Sequence, residues 1–171
     1  MDRPIFLIGF MGSGKTTWGK KLANRLQKQF IDLDQLIVKQ IEMSIPEYFE
    51  RFGEAQFRIL ESKILKEQLS PNTIVSTGGG SPCYFDNMDW INKNGLSIYL
   101  CLSPKALFTR LQQSNIASRP ALKALQGEEL LAFIEDKLAA RADYYNQAMI
   151  HVDQLNATVD SIIKQINEYA A

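Results

Sequence analysis

The apolar run Ile5-Phe6-Leu7-Ile8 leads directly into Gly9-Phe10-Met11-Gly12-Ser13-Gly14-Lys15-Thr16. This octapeptide fits the pattern G-x-x-x-x-G-K-[ST] at every fixed position. No other stretch restricts the fold so tightly. The pattern needs a strand in front, to carry the chain to a sheet edge, and a helix behind, whose free N–H groups and positive end face the anion that the loop surrounds. The residues that follow, Trp18, Leu22, Ala23 and Leu26, recur at helical spacing. In such a loop Lys15 reaches the β- and γ-phosphates. Thr16 offers a hydroxyl to Mg²⁺, the ion that neutralises a triphosphate before phosphoryl transfer.

Short β-rich runs at 5–8, 30–33, 73–77, 96–102 and 149–152 alternate with helical patterns, which predicts a five-stranded parallel α/β sheet flanked by helices. With 171 residues and 46% hydrophobic content, the chain can bury one core, and no linker divides it, so a single domain over 1–171 is expected. Ser44-Ile45-Pro46-Glu47 reads as a capping box, and Ser103-Pro104 as an N-cap with proline at the first helical position. Residues 128–148 read as a longer helix. The stretch 112–127, with Asn115, Ser118 and Pro120 and weak periodicity, reads as a mobile lid over the sheet.

Charge and composition exclude several function classes. The 19 basic and 19 acidic residues cancel, which gives no overall field for nucleic acid or an anionic membrane. Cys83 and Cys101 stand apart without a CxxC or histidine neighbourhood, against structural zinc and in keeping with a reducing compartment. No apolar segment approaches membrane-spanning length, and the first strand begins at about Pro4, so a soluble, cytoplasmic chain without a leader is expected.

Ligands of open parallel sheets gather beyond the carboxyl ends of the strands. There, Asp32 and Asp34 close the second run, and strand alternation is expected to put both carboxylates on one face, one for a metal and the other for a substrate hydroxyl. Thr77-Gly78-Gly79-Gly80 follows the third run and offers bare backbone for close approach. Arg58 has Glu54 at i−4 and Glu61 at i+3, which alone reads as an ordinary surface salt-bridge pattern. Arg119-Pro120 and Arg141 are equally plain when taken singly. A small acidic substrate beside ATP, however, needs a guanidinium for its carboxylate and further positive charge on the transferring phosphoryl group. His151, within a strand run, reads as structural, and the two tryptophans as core. Asn92-Lys93-Asn94-Gly95 resembles a guanine-reading N-K-x-D but lacks the aspartate.

Taken in order, Gly9 to Thr16, Asp32-Leu33-Asp34, Gly53-Glu54-x-x-Phe57-Arg58-x-x-Glu61, Thr77-Gly78-Gly79-Gly80, Arg119-Pro120 and Arg141-x-x-Tyr144-Tyr145 resemble the shikimate kinases, small P-loop enzymes of the nucleoside-monophosphate-kinase structural group. The resemblance runs almost end to end. It implies ATP-dependent phosphorylation of the 3-hydroxyl of shikimate, a step of chorismate and aromatic amino-acid biosynthesis, with Mg²⁺ as cofactor and the chain acting as a monomer. It also implies that the helical segment 34–62 binds that substrate. Gly12, Ser13, Gly14, Lys15, Thr16, Thr17, Arg110 and Arg119 then correspond to the ATP site, with Arg110 stacking on adenine and Arg119 closing from the lid. Asp34, Phe49, Phe57, Arg58, Gly79, Gly80 and Arg141 correspond to the shikimate site. Thr16 and, through water, Asp32 correspond to the metal site; Lys15, Asp34 and Arg119 correspond to the catalytic groups. Glu42 in place of a usual glycine, Ala121 in place of leucine and Trp18 in place of a small aliphatic residue depart from the pattern, and the loop 153–156 matches weakly. Two other readings stand beside it: a gluconate-kinase-like small-molecule kinase, and a catalytically silent P-loop regulator that uses nucleotide only to change shape.

Overall fold

The computed structural model describes residues 3–113, 122 and 125–170. Five strands, β1 (Ile5–Ile8), β2 (Gln29–Asp32), β3 (Thr73–Ser76), β4 (Leu96–Cys101) and β5 (Ile150–Asp153), form one sheet in the order β2-β3-β1-β4-β5. Every pairing is parallel, with Ile5 opposite Ile74 on one side and Leu96 on the other. Among the described residues seven α-helices connect and cover the strands: α1 (Lys15–Leu26), α2 (Leu33–Ile41), α3 (Ile45–Lys66), α4 (Asn87–Asn94), α5 (Pro104–Gln113), α6 (Gly127–Tyr145) and α7 (Val159–Ala170), with a 3₁₀ turn at Ser81–Cys83. The doubly covered parallel sheet is the expected one. Of the expected lid, 112–127, residues 114–121, 123 and 124 lie outside the described residues, and Arg119 and Ala121 are among them.

The central strand explains why the core has two layers. All four residues of β1 are fully buried, because a parallel strand with helices on both faces has no polar side. Ile5 and Leu7 pack with Leu22 of α1 and Ile162 and Ile166 of α7. Phe6 and Ile8 pack with Ile37, Ile64, Leu65 and Ile91 from α2, α3 and α4. Phe10, just past β1, joins a third cluster with Leu107, Leu111, Leu130 and Ile134 from α5 and α6.

Several local expectations shift. The second strand ends at Asp32, and Asp34 lies in the first turn of α2 instead of on the strand. The cause is a cap: an Asp32 carboxylate oxygen accepts the Gln35 N–H at 3.3 Å, which starts the helix one residue earlier than alternation allows. The Ser44 hydroxyl accepts the Glu47 N–H at 3.3 Å, while the Glu47 carboxylate turns to Arg51 at 2.7 Å, so the capping box is half formed. Gly53, at φ 81°, ψ 166°, breaks α3, and a fresh helical turn carrying Glu54 to Glu61 begins after it. Glu42 ends α2 at φ 54°, a left-handed position that glycine takes without strain. The expected helix 128–148 ends at Tyr145. Cys83 and Cys101 are free thiols.

The Asn92 to Gly95 stretch has a structural job. The Asn92 amide donates to the Gln147 carbonyl and the Asn94 amide to the Trp90 carbonyl, both at 2.8 Å. A Cβ on Gly95 would fall 2.7 Å from the Pro4 carbonyl oxygen and closer still to the Phe6 ring. Phe6 is wholly buried and packs edge-on against Trp90 at 5.8 Å. Gly95→Ala should therefore cost about 1–3 kcal/mol through overpacking, a fall in melting temperature of roughly 2–12 °C for a chain this long. Thermal unfolding followed by circular dichroism checks this, and an unchanged midpoint contradicts it.

Candidate active site

The phosphate loop is built for an anion. Gly12 (φ 79°) and Gly14 (φ 87°) take left-handed conformations that turn the backbone around the loop. Gly14 caps α1 without any side-chain hydrogen bond, which leaves the first N–H groups of the helix to whatever the loop holds. The Lys15 ammonium, nearly buried, lies over the loop and donates to the carbonyls of Gly9 (2.8 Å) and Phe10 (3.0 Å). The Ser13 hydroxyl is buried with no hydrogen-bond partner among the described residues. On the far side of Lys15, the Thr16 hydroxyl donates to Asp32 at 2.8 Å. One hydroxyl and one carboxylate thus meet as hard oxygen donors at the helix start. The described residues hold no cluster of three His, Cys, Asp or Glu able to cage a metal. That pairing suits an ion that keeps water and phosphate oxygens as its other ligands, as Mg²⁺ does.

The glycine triplet after β3 is where the remaining parts meet. None of Gly78, Gly79 and Gly80 has a positive φ, so they are needed for room. A Cβ on Gly78 would lie 2.7 Å from a Glu61 carboxylate oxygen and 3.1 Å from one of Asp34. On Gly79 it would lie 3.2 Å from the Met11 nitrogen in the phosphate loop and 3.4 Å from Arg141 Nη1. On Gly80 it would sit 3.0 Å from Arg58 Nη2. The two guanidinium groups therefore border adjacent residues of one loop, whose Cα atoms are ~3.8 Å apart, and the Asp34 carboxylate borders the residue before them.

Arg58 is not the ordinary surface ion pair that its spacing suggests. Its side chain is 13% exposed, and its i+3 partner Glu61 only 1%. Nη1 donates to Glu61 at 2.8 Å, and Nε and Nη2 donate to the exposed Glu54 at 3.2 and 3.0 Å. The guanidinium also lies over the rings of Tyr84 (4.4 Å), Phe57 (5.4 Å) and Phe49 (6.0 Å). Burial works against the Arg58 charge, and the two carboxylates more than offset it, holding its pKa above the usual value. Arg141 stands over the Phe10 ring at 5.4 Å, and its Nη1 is buried without a hydrogen-bond partner among the described residues. A cationic N–H in that condition is a ready donor for an incoming carboxylate.

Three carboxylates crowd one another here. Asp34 keeps one side open to solvent, but desolvation by the crevice walls, then Glu61 and Asp32, push its pKa up to about 6, while Lys15 and Arg58 pull it back down. At neutral pH it is therefore ionised yet close to its titration point, which suits a proton acceptor.

Of the residues singled out in the sequence, Lys15, Thr16, Asp32, Asp34, Phe49, Phe57, Arg58, Gly79, Gly80 and Arg141 come together around the ends of β1, β2 and β3. Arg110 stands on the other flank of the phosphate loop, donating to the Ser13 carbonyl at 3.3 Å. Gly12 and Ser13 lie in the loop, and exposed Thr17 in the first turn of α1. Arg119 lies outside the described residues. The spacing reading undervalued Glu61, whose other oxygen accepts the Ser81 hydroxyl. It gave no task to Tyr145, named only within the Arg141 motif, which is buried and donates its hydroxyl to the Gly79 carbonyl, nor to Gln154, held by Trp18 and Arg110. For Glu61 the i+3 spacing was a usable signal; for Gln154 none existed, because its partners are 136 and 44 residues away.

Comparison with known proteins agrees with this geometry. The family model described as "Shikimate kinase" matches residues 11–171. A shikimate kinase of Bacteroides fragilis is 46% identical over 145 residues, 84% of this chain and 80% of that protein. A crystal structure of shikimate kinase from Bacteroides thetaiotaomicron superposes with TM-score 0.85 at 38% identity, covering 96% of both chains. The Acinetobacter baumannii shikimate kinase in complex with shikimate superposes with TM-score 0.82 at 28% identity, covering 97% of this chain and 91% of that one.

The raised Asp34 pKa has a thermodynamic signature. Because the folded carboxyl takes up its proton near 6 and the unfolded one near 3.8, the folded state binds more protons in between. Stability therefore falls as pH rises through that window, and the cost is complete above about 6. Asp34→Asn should stabilise the protein at pH 8 by on the order of 1 kcal/mol, water on the open side of the carboxylate reducing the full shift, and leave stability unchanged near pH 3.5. Urea unfolding at both pH values checks this; an equal effect at both, or destabilisation at pH 8, contradicts it.

Proposed function

The chain belongs to the shikimate kinase family, and from that premise we propose that it transfers the γ-phosphoryl group of ATP to the 3-hydroxyl of shikimate, with the crevice above β1, β2 and β3 holding both substrates. One observation carries the assignment of residues: Arg58, Arg141 and Asp34 border three successive glycines, and the middle glycine also touches the phosphate loop at Met11. A cyclic hydroxy-acid whose carboxylate lies between the two guanidinium groups has its hydroxyls toward Asp34 and its far edge toward the phosphates.

Each side chain then has a defined task. Arg58 and Arg141 hold the carboxylate, Gly79 and Gly80 offer backbone N–H groups, and Phe49 and Phe57 wall the ring. Asp34 binds the ring hydroxyls and accepts the proton of the attacking one as the oxygen meets phosphorus. Lys15 and Arg119 share the charge that develops on the transferring group, and Arg110 stacks on adenine. Thr16, and Asp32 through water, would hold Mg²⁺. Once bound, that ion would supply positive charge to offset that of the phosphates. The segment 34–62 acts as the substrate-binding unit and 112–127 as the lid, in a monomeric, cytoplasmic protein. The gluconate-kinase-like reading is not favoured, since gluconate also carries a carboxylate for the guanidinium pair but the matching family model and relatives are shikimate kinases; the silent-regulator reading leaves Asp34 without work.

ADP release measured by a coupled assay should depend on shikimate, ATP and Mg²⁺ together, stop on addition of EDTA, and be absent with gluconate. Turnover with gluconate, or none with shikimate, contradicts the assignment. Asp34→Asn should lower kcat about 10²–10⁴-fold, while the wild-type kcat/KM for shikimate should fall as pH drops below about 6, where Asp34 takes up its proton. Arg141→Ala should raise the KM for shikimate about ten- to a hundredfold, the loss of one charge-assisted hydrogen bond, and spare that for ATP. Equal changes in both constants contradict the placement of Arg141.

A further inference from the structure

Behind the phosphate loop, three side chains from three distant parts of the chain close over Gly14. A Cβ there would lie 3.4 Å from Arg110 Nη1, 3.6 Å from the Trp18 ring and 3.8 Å from Gln154 Oε1. Gln154, one residue past β5, is only 7% exposed. Its Oε1 accepts the Trp18 indole N–H at 3.0 Å and an Arg110 Nη1 N–H at 3.2 Å. The same Arg110 nitrogen also reaches the Ser13 carbonyl in the loop at 3.3 Å.

The donor and acceptor inventory fixes this arrangement. Trp and Arg offer only donors, so a glutamine facing both must present its oxygen, whose two lone pairs they fill. Turning the amide over would set its NH₂ against two N–H groups. The cost of the chosen orientation is visible: Gln154 Nε2 is buried with no hydrogen-bond partner among the described residues. A buried donor left unpaired is unfavourable, so the fold tolerates it in exchange for holding the oxygen where it is.

We propose that Trp18, acting through Gln154, positions the Arg110 guanidinium beside the phosphate loop, making both residues determinants of nucleotide affinity that leave the acidic substrate's site untouched. The proposal rests on the placement of Arg110 in the ATP site. Neither Trp18 nor Gln154 needs to touch the nucleotide. Their effect runs through Arg110, whose exposed guanidinium loses its side-chain acceptor when the relay is cut and keeps the Ser13 carbonyl alone.

The test combines calorimetric titration of each full-length variant with Mg·ADP, which needs no turnover, and the separate KM values for ATP and shikimate. Gln154→Leu keeps similar bulk and removes the acceptor. Trp18→Phe keeps an aromatic ring and removes the N–H. Gln154→Glu keeps oxygen acceptors for both donors and serves as the conservative rescue. Gln154→Leu should weaken Mg·ADP binding about five- to tenfold and Trp18→Phe about two- to fivefold, the range for loss of neutral to charge-assisted hydrogen bonds. Gln154→Glu should stay within about twofold of wild type. The ATP KM should follow these shifts, and the shikimate KM should not move. In an Arg110→Ala background the first two substitutions should lose their effect, as residues acting through one group must.

If Arg110→Ala weakens Mg·ADP binding but Gln154→Leu and Trp18→Phe do not, the relay is overturned and the ATP-site reading survives. If Arg110→Ala itself leaves binding unchanged, both fall. If the variants weaken both substrates alike, or keep their full effect without Arg110, the role is structural and the proposal is overturned. A Gln154→Leu protein that fails to fold leaves the Trp18→Phe and Gln154→Glu pair to decide by the same criteria.

Discussion

The site depends on side chains that are absent. At the carboxyl end of β3 the chain has three glycines in succession, and each missing Cβ is replaced by a different functional part: the Glu61 and Asp34 carboxylates at Gly78, the phosphate loop and Arg141 at Gly79, Arg58 at Gly80. A Cβ at Gly78 would force its neighbours to shift, and one at Gly79 or Gly80 would require them to give by a few tenths of an ångström. An in-line transfer requires the reacting atoms to approach within ~3–3.5 Å. The sheet order makes this possible. With β1 central and β3 beside it, the phosphate loop and the glycine loop leave adjacent strands in the same direction, and β2 brings Asp32 and α2 to the next position.

Electrostatics in the crevice works by opposition over short range. The chain has no net charge, so no broad field draws in an anionic substrate. Instead Lys15, Arg58 and Arg141 face Asp32, Asp34 and Glu61 across a few residues. Glu61 is central to this balance. Nearly fully buried, it anchors the Arg58 guanidinium and, through repulsion, helps hold the Asp34 carboxyl near its titration point. A buried carboxylate is costly unless paired, and Glu61 is paired with Arg58 on one oxygen and Ser81 on the other. One side chain thus links the orientation of the substrate's anchor to the readiness of the proton acceptor.

Much of this was legible along the chain because the signals are local. The phosphate loop, the five β runs and the Arg58 neighbours are all defined by spacings of a few residues, and strand positions were right to within a residue or so. Alternation puts Asp34 on the strand because it assumes that the strand continues, whereas the Asp32 cap ends it. The Arg58 pattern was undervalued because i±4 spacing says who is adjacent and nothing about burial; it is the packing of α3 against the glycine turn that takes Glu61 out of water. Helical spacing puts Trp18 in the core, but its ring edge carries a polar task set by Gln154, far away in sequence. Contacts of that kind leave no local trace.

The account reduces to one spatial claim, that the carboxylate-binding arginines and the phosphate loop serve a single reaction centre. A crystal structure of the protein with shikimate and a non-hydrolysable ATP analogue plus Mg²⁺ tests it most directly. The account predicts the shikimate carboxylate between Arg58 and Arg141, with its 3-hydroxyl against Asp34 and in line with the γ-phosphorus. Shikimate seated elsewhere, or seated there with the 3-hydroxyl turned away from both Asp34 and the phosphate, would contradict it.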